Sequence, residues 1–267
     1  MELGLKGKVV LVTGSSKGIG RSIAAAFARE GCHVVINGRH AKELEATAAE
    51  LRDGAQASVH AVVADVTEAE GAKRVVDETV ARFGTIHVLV NNAGGAGRFG
   101  SFADLTDDEW LAAFNLNVLS AVRSTRAALP HMQKQRWGRI INISSESGVQ
   151  PDAMMPHYNA SKSALNSLTK SLSKAYGKDG ILVNTVSPAF IRTPLLDGLL
   201  EQEARARKIT VDEAEKVLLR EFRPNILLGR AGKSDETAGG VVFLASEQAS
   251  FITGSNYRVD GGSVASL

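Results

Sequence analysis

Short apolar runs alternate with amphipathic stretches along the whole chain. The pattern predicts strands at 8–13, 33–37, 58–63, 88–91, 139–144, 181–187 and 256–259, and helices near 19–30, 41–52, 69–83, 107–132, 157–177 and 234–245. Runs such as Val34-Val35-Ile36 and Ile140-Ile141 lack polar alternation, as expected of strands covered on both faces. Regular alternation of strand and helix predicts an α/β fold, a doubly wound parallel sheet of about seven strands flanked by helices. Thr106-Asp-Asp-Glu109 reads as a capping box opening the helix near 107–132, with Pro130 expected close to its end. Without an internal repeat or a compositional break, residues 1–267 are expected to form one domain. Residues 193–232 interrupt the pattern as a charged, helix-prone insertion at the carboxyl end of the sixth strand, where open α/β sheets bind ligands. This segment reads as a substrate lid, with Leu195, Leu196, Leu199 and Leu200 expected to form a single closing face.

Composition narrows the function classes. A formal charge of +2 without a clustered basic patch argues against nucleic acid as a partner. No apolar run reaches membrane-spanning length, and the first strand begins within ten residues of Met1, so a cytoplasmic protein is expected. Cys32 is the only cysteine, which excludes an intramolecular disulfide, and it reads as a small buried hydrophobe. The six histidines show no metal-ligand spacing, so no metal is expected.

Two motifs carry chemistry. Tyr158 and Lys162 stand at i and i+4, one face of a helix, with Ser145 thirteen residues upstream of the tyrosine. Two unit charges about 4 Å apart at an effective dielectric near 20 interact by roughly 4 kcal/mol, about three pKa units, so the ammonium is expected to lower the phenol's pKa. Such a group is a proton donor suited to a carbonyl oxygen. Ser144 is a rival hydroxyl, but neighbouring strand residues face opposite ways and the interval to Tyr158 selects Ser145. His157 is expected on the rim or in contact with substrate, since adjacent helix positions diverge by about 100°. Near the other end, the strand Lys8-Val-Val-Leu-Val-Thr13 runs into Gly14-Ser-Ser16-Lys17-Gly18-Ile19-Gly20 and then a helix. Strand, glycine turn and helix form a Rossmann-type dinucleotide site, where glycines let the backbone approach a pyrophosphate facing the helix N-terminus.

With Asn91-Asn92-Ala93-Gly94, Asn117, Ser187-Pro188 and Asp260-Gly261-Gly262 in the same order, these motifs resemble those of the short-chain dehydrogenase/reductase family over essentially the whole chain. The resemblance implies that Tyr158 is the general acid and base, that Lys162 holds the nicotinamide ribose, that Ser145 hydrogen-bonds the substrate oxygen, and that Asn117 positions a water linking the lysine to solvent. It further implies contacts from Asp65 and Val66 to the adenine, support of the adenosine side by Asn92, Ala93 and Gly94, and contacts near the nicotinamide from Pro188, Ile191 and Thr193. Pro188-Ala189 departs from the family's common Pro-Gly, adding a methyl near the nicotinamide.

The cofactor is read from the end of the second strand. An NAD enzyme places a carboxylate there; this chain has Gly38, followed by Arg39, and Lys17 lies in the glycine loop. Two cations and no carboxylate favour NADP(H), with Arg39 clamping the 2′-phosphate.

The nearest resemblance is to 3-oxoacyl carrier-protein reductases, with Lys134, Arg136 and Lys178 as a basic docking edge that Asp179 leaves incomplete. A reductase of free small or hydrophobic ketones is the alternative, followed by a non-catalytic NADP-binding sensor. A homotetramer is expected from the family and from Ala121, Val122, Thr125, Ala128, Leu129 and Met132, too many apolar-face residues for one sheet-facing stripe.

Overall fold

The computed structural model describes residues 2–53, 55 and 57–265. The first half alternates as the pattern requires: β1 (Val9–Val12), α1 (Gly18–Arg29), β2 (His33–Gly38), α2 (Ala41–Asp53), β3 (Val59–Val63), α3 (Ala69–Phe83) and β4 (Val88–Asn91). It continues through α4 (Asp107–Phe114), α5 (Ser120–Gln135), β5 (Gly138–Ile143), α6 (Pro156–Tyr176) and β6 (Ile181–Pro188). The insertion contains β7 (Ile191–Arg192), α7 (Pro194–Arg207), α8 (Val211–Phe222) and β8 (Gly232–Lys233), and α9 (Ser234–Ala245) and β9 (Asn256–Val259) complete the fold.

Seven strands form one parallel sheet in the order β3-β2-β1-β4-β5-β6-β9. The order reverses between β1 and β4, and the crevice at that switch point is where doubly wound sheets bind ligands. Alternate residues of each strand enter opposite cores. Val10 and Val12 pack with Ile23 and Phe27 of α1 and Val241 of α9, whereas Leu11 packs with Val75 and Val76 of α3 and Met132 of α5. Helices on both faces explain why the strands read as unbroken apolar runs.

Four expectations about elements change. The helix near 107–132 is broken into α4, a π-helical turn at Asn115–Leu119 and α5. Its capping box forms as expected, with the Thr106 amide donating to Glu109 and the Glu109 amide to Thr106 Oγ1. Pro130 does not end α5, which runs five residues further to Gln135. Pro130 is exposed, so the carbonyl it leaves without an amide partner lies on the solvent side, where water can satisfy it.

The side chains proposed as a second apolar face on α5 also find another explanation. Ala121, Thr125, Ala128, Leu129 and Met132 are buried within the chain itself, so they give no independent argument for a partner. The apolar residues that α4 and the π-helical turn expose are instead Leu111 and Leu119.

The insertion is a folded subassembly on a narrow base. Ile191 pairs with Gly232 and Arg192 with Lys233, closing its two ends in a parallel ladder. Leu196, Leu200, Ala204, Ala214 and Ala231 make a separate small core. The four leucines therefore split: Leu196 and Leu200 face α8, while Leu195 and Leu199 are exposed. Thr210 and Glu213 form a capping box that starts α8. Among the described residues no helix is long and apolar enough to cross a membrane.

Candidate active site

The glycine loop between β1 and α1 is built to bring backbone close to a ligand. Gly14 and Gly18 have φ of +61° and +56°, and a Cβ at Gly20 would lie 2.4 Å from Asn92 Nδ2 and 2.5 Å from the Gly14 carbonyl. The Asn92 amide donates to the carbonyls of Thr13 and Gly14, tying the turn after β4 to this loop. Ala93 is held there too, its N–H donating to Thr13 Oγ1 at 3.1 Å. No side chain caps α1, so its first amides remain available to an anion. Ile19 anchors the turn by packing on the core.

Ser145, Tyr158 and Lys162 come together where β5 ends and α6 begins. The Ser145 hydroxyl accepts from the Ser147 amide at 3.2 Å and lies near enough to the Tyr158 phenol to favour its ionised form. Ser144 is turned away, donating to the Lys162 carbonyl at 3.1 Å. Lys162 is buried; its Nζ donates to the Ile143 carbonyl at 2.8 Å and lies 5.6 Å from the Tyr158 ring centre.

The expected depression of the tyrosine's pKa is not found. Desolvation raises it, outweighing the Ser145 hydroxyl and the positive charge of Arg223, while Glu146 and Asp152 raise it further. Desolvation also lowers Lys162 to about 8. Two charges kept in a solvating medium would support each other, but withdrawing both groups from water penalises each charged form.

Asn117 lies in the π-helical turn. Its amide donates to the carbonyls of Gly95 and Ala113 and its Oδ1 accepts from the Gly95 amide, all at 3.0 Å. With three of its hydrogen bonds committed to backbone, the side chain chiefly fixes the Gly94–Gly95 strip. That strip is tight: a Cβ at Gly94 would lie 2.9 Å from Asn117 Oδ1 and 3.1 Å from Lys162 Nζ. The backbone thus reaches the lysine only because residue 94 is glycine.

The remaining candidates lie along the same edge. Pro188 ends β6 and Ile191 opens β7, while Thr193 caps α7 and sits against the glycine loop, with its Cγ2 3.5 Å from where a Cβ of Gly18 would be. Asp65 follows β3 and holds the Thr67 amide and hydroxyl. The Val66 side chain is buried in the core, so only its backbone could meet a ligand. Arg39 faces Asp65 at 3.8 Å, and Lys17 and Ser16 both engage Glu43. Glu43 was missed: it lies in the first turn of α2, and nothing in its local pattern marks it as facing the glycine loop.

His157 is not on the rim. It is buried, edge-on to Trp110 at 6.1 Å, with its pKa lowered mainly by desolvation. Beneath the site, Asn142 Nδ2 and Thr185 Oγ1 both donate to Thr169 Oγ1, and Asn91 Nδ2 donates to Asn142 Oδ1. This buried network joins β4, β5, α6 and β6 and fixes the floor under Ser145 and Tyr158. Behind the serine, Arg223 pairs with Glu146 at 2.7 Å and Asp152 at 3.2 Å across a cavity of about 230 Å³.

The glycine cradle, the uncapped helix and the glycine beside Lys162 fit a dinucleotide, and the phenol beside a hydroxyl can exchange a proton with a carbonyl or alcohol oxygen. The family model described as short chain dehydrogenase matches residues 8–204. The oxidoreductase YvrD of Bacillus subtilis is 39% identical, with all of both chains covered. The 3-oxoacyl-(acyl-carrier-protein) reductase FabG of Thermotoga maritima is 35% identical, covering 97% of this chain and 99% of that one. L-sorbose reductase from Gluconobacter frateurii, solved with NADPH and L-sorbose, is 35% identical and superposes with a TM-score of 0.95 over all of both chains. With fold, motif order and sequence agreeing along its length, the chain belongs to the short-chain dehydrogenase/reductase family.

Proposed function

We propose that this protein is an NADP(H)-dependent reductase of a neutral ketone, interconverting it with the secondary alcohol. The observation that carries the reading is the buried Lys162 beside the Tyr158 ring, with Ser145 at the same strand end and the glycine cradle on the same sheet edge. Bound nicotinamide supplies the hydride. Tyr158 donates its proton to the substrate oxygen, Ser145 hydrogen-bonds that oxygen as charge develops, and Lys162 holds the nicotinamide ribose beside the phenol. A raised tyrosine pKa keeps the proton on the phenol at neutral pH, which suits reduction. Arg39 and Lys17 would hold the 2′-phosphate. The Arg39→Ala variant is expected to lose roughly tenfold or more in NADPH affinity, with little change for NADH, as for a lost charge-assisted hydrogen bond.

The surroundings favour a free substrate over a carrier-bound one. Asp179 accepts from Gln133 at 2.8 Å within the basic edge of Lys134, Arg136 and Lys178, and Arg136 donates to the Lys178 carbonyl. A carboxylate in that edge repels an acidic carrier. Near the phenol, Arg223 is matched by Glu146 and Asp152, which supports a neutral substrate. A 3-oxoacyl thioester is the second reading, supported by the FabG relative. NADPH oxidation should be followed with free ketones, including keto sugars, with acetoacetyl-coenzyme A and with an acetoacetyl carrier protein. Turnover of free ketones without preference for the carrier form is expected; strong preference for the carrier form would reverse the substrate assignment.

A further inference from the structure

Gly38 reads in the sequence as the absence of a carboxylate from the end of β2. The folded chain supplies one from another element. Glu43 reaches from the first turn of α2 to the glycine loop, where Oε2 accepts from Ser16 Oγ at 3.1 Å and Oε1 pairs with Lys17 Nζ at 3.2 Å. Gly38 belongs to the same arrangement: a Cβ there would lie 3.3 Å from Ser16 Cβ and 3.4 Å from Leu44 Cδ1, so a side chain would crowd Ser16. Ser16 thus lies against the position where an NAD enzyme carries its carboxylate, and the negative charge arrives from α2.

Building on the NADP(H) reading, we propose that Glu43 is a specificity-determining residue that restrains the preference for the 2′-phosphate. The phosphate must displace the carboxylate from Lys17 and Ser16 before using either, and the two negative charges repel. The 2′-hydroxyl of the unphosphorylated cofactor carries no charge and can donate to Glu43 with the ion pair intact. Glu43 therefore narrows the gap between the cofactors that Lys17 and Arg39 open. An exposed ion pair of this kind shifts an equilibrium by at most about fivefold, and relief of repulsion adds to it, so removing the charge should tighten NADP⁺ by roughly five- to tenfold.

Calorimetric titration of NADP⁺ and NAD⁺ into the wild type, Glu43→Gln, Lys17→Ala and the double variant tests this without relying on turnover. Glu43 is partly exposed on a helix surface, so the glutamine variant is expected to fold. The expected result is tighter NADP⁺ binding in Glu43→Gln, unchanged or weaker NAD⁺ binding, and loss of most of the gain when Lys17 is also removed. An unchanged ratio of the two affinities in Glu43→Gln overturns the proposal, as does a gain that survives intact without Lys17. Arg39→Ala reports separately on the underlying reading: equal losses for both cofactors would overturn the NADP(H) assignment itself, whatever Glu43 does.

Discussion

Lys162 keeps a group in the protein interior that would be more stable uncharged. Burial lowers its pKa to about 8 from the usual 10.5, a difference of roughly 3 kcal/mol between protonation states at about 1.36 kcal/mol per unit. Because the folded pKa is depressed, the penalty is fully present below pH 8 and fades as pH rises towards 10.5. Replacing Lys162 with Met should therefore raise the unfolding temperature at pH 7 while abolishing turnover, measured by thermal denaturation and NADPH oxidation; a less stable variant would contradict the buried-charge argument. In the unmodified protein, NADPH affinity should weaken above pH 8 as Lys162 loses its proton, whereas an affinity flat to pH 10 would remove it from cofactor binding. Tyr158→Phe should retain cofactor affinity and lose turnover by orders of magnitude, because only the phenolic proton is removed. Near-normal ketone reduction by that variant would exclude Tyr158 as the acid.

Among the elements, the α7–α8 insertion is held to the rest of the fold at two places. Its base is the short β7–β8 ladder, and Arg192 pairs with Asp197 of α7 and Glu215 of α8 to brace it. Its far end is tied to the segment after Ser145 through Arg223, which meets the buried Glu146. Desolvation pushes the Glu146 pKa up, so this carboxylate depends on the arginine to stay charged. The Arg223→Ala variant should cost about 1–3 kcal/mol by leaving a buried carboxylate without its partner. It should also speed amide exchange in α8 and raise the KM for the ketone, with NADPH affinity retained; unchanged exchange and KM would show that the insertion is no lid. Adding Glu146→Gln to that variant should recover part of the stability, since the orphaned charge is gone.

For the molecule as a whole, one sheet edge gathers residues from across the sequence because every strand points the same way. The turns after β1, β4, β5 and β6 open on the same side, so Gly14, Gly94, Ser145 and Pro188 meet there. Assembly rests on less. The buried face of α5 serves its own sheet, and the exposed large apolar residues in the stretch before it are Phe99, Phe102, Leu111 and Leu119. The expected homotetramer is checked by light scattering at micromolar concentration, where a monomeric mass would refute it. A Leu111→Lys change should shift the mass downward if that surface joins the subunits.

Periodicity in the sequence was sufficient for the strand and helix plan and for one parallel sheet, because unbroken apolar strands require cover on both faces. Motif order likewise marked Gly14 to Gly20, Ser145, Tyr158 and Lys162, since backbone approach demands glycine and one helical turn aligns i with i+4. Tertiary structure decided what depends on surroundings: Glu43 brings a carboxylate to a place that Gly38 leaves without one, and Leu196 turns inward where Leu195 does not. It also buried His157 and reversed the expected shift of Tyr158. Local sequence encodes spacing along the chain, whereas charge pairing and desolvation are set by what packs against a residue from elsewhere, and those neighbours exist only once the chain has folded.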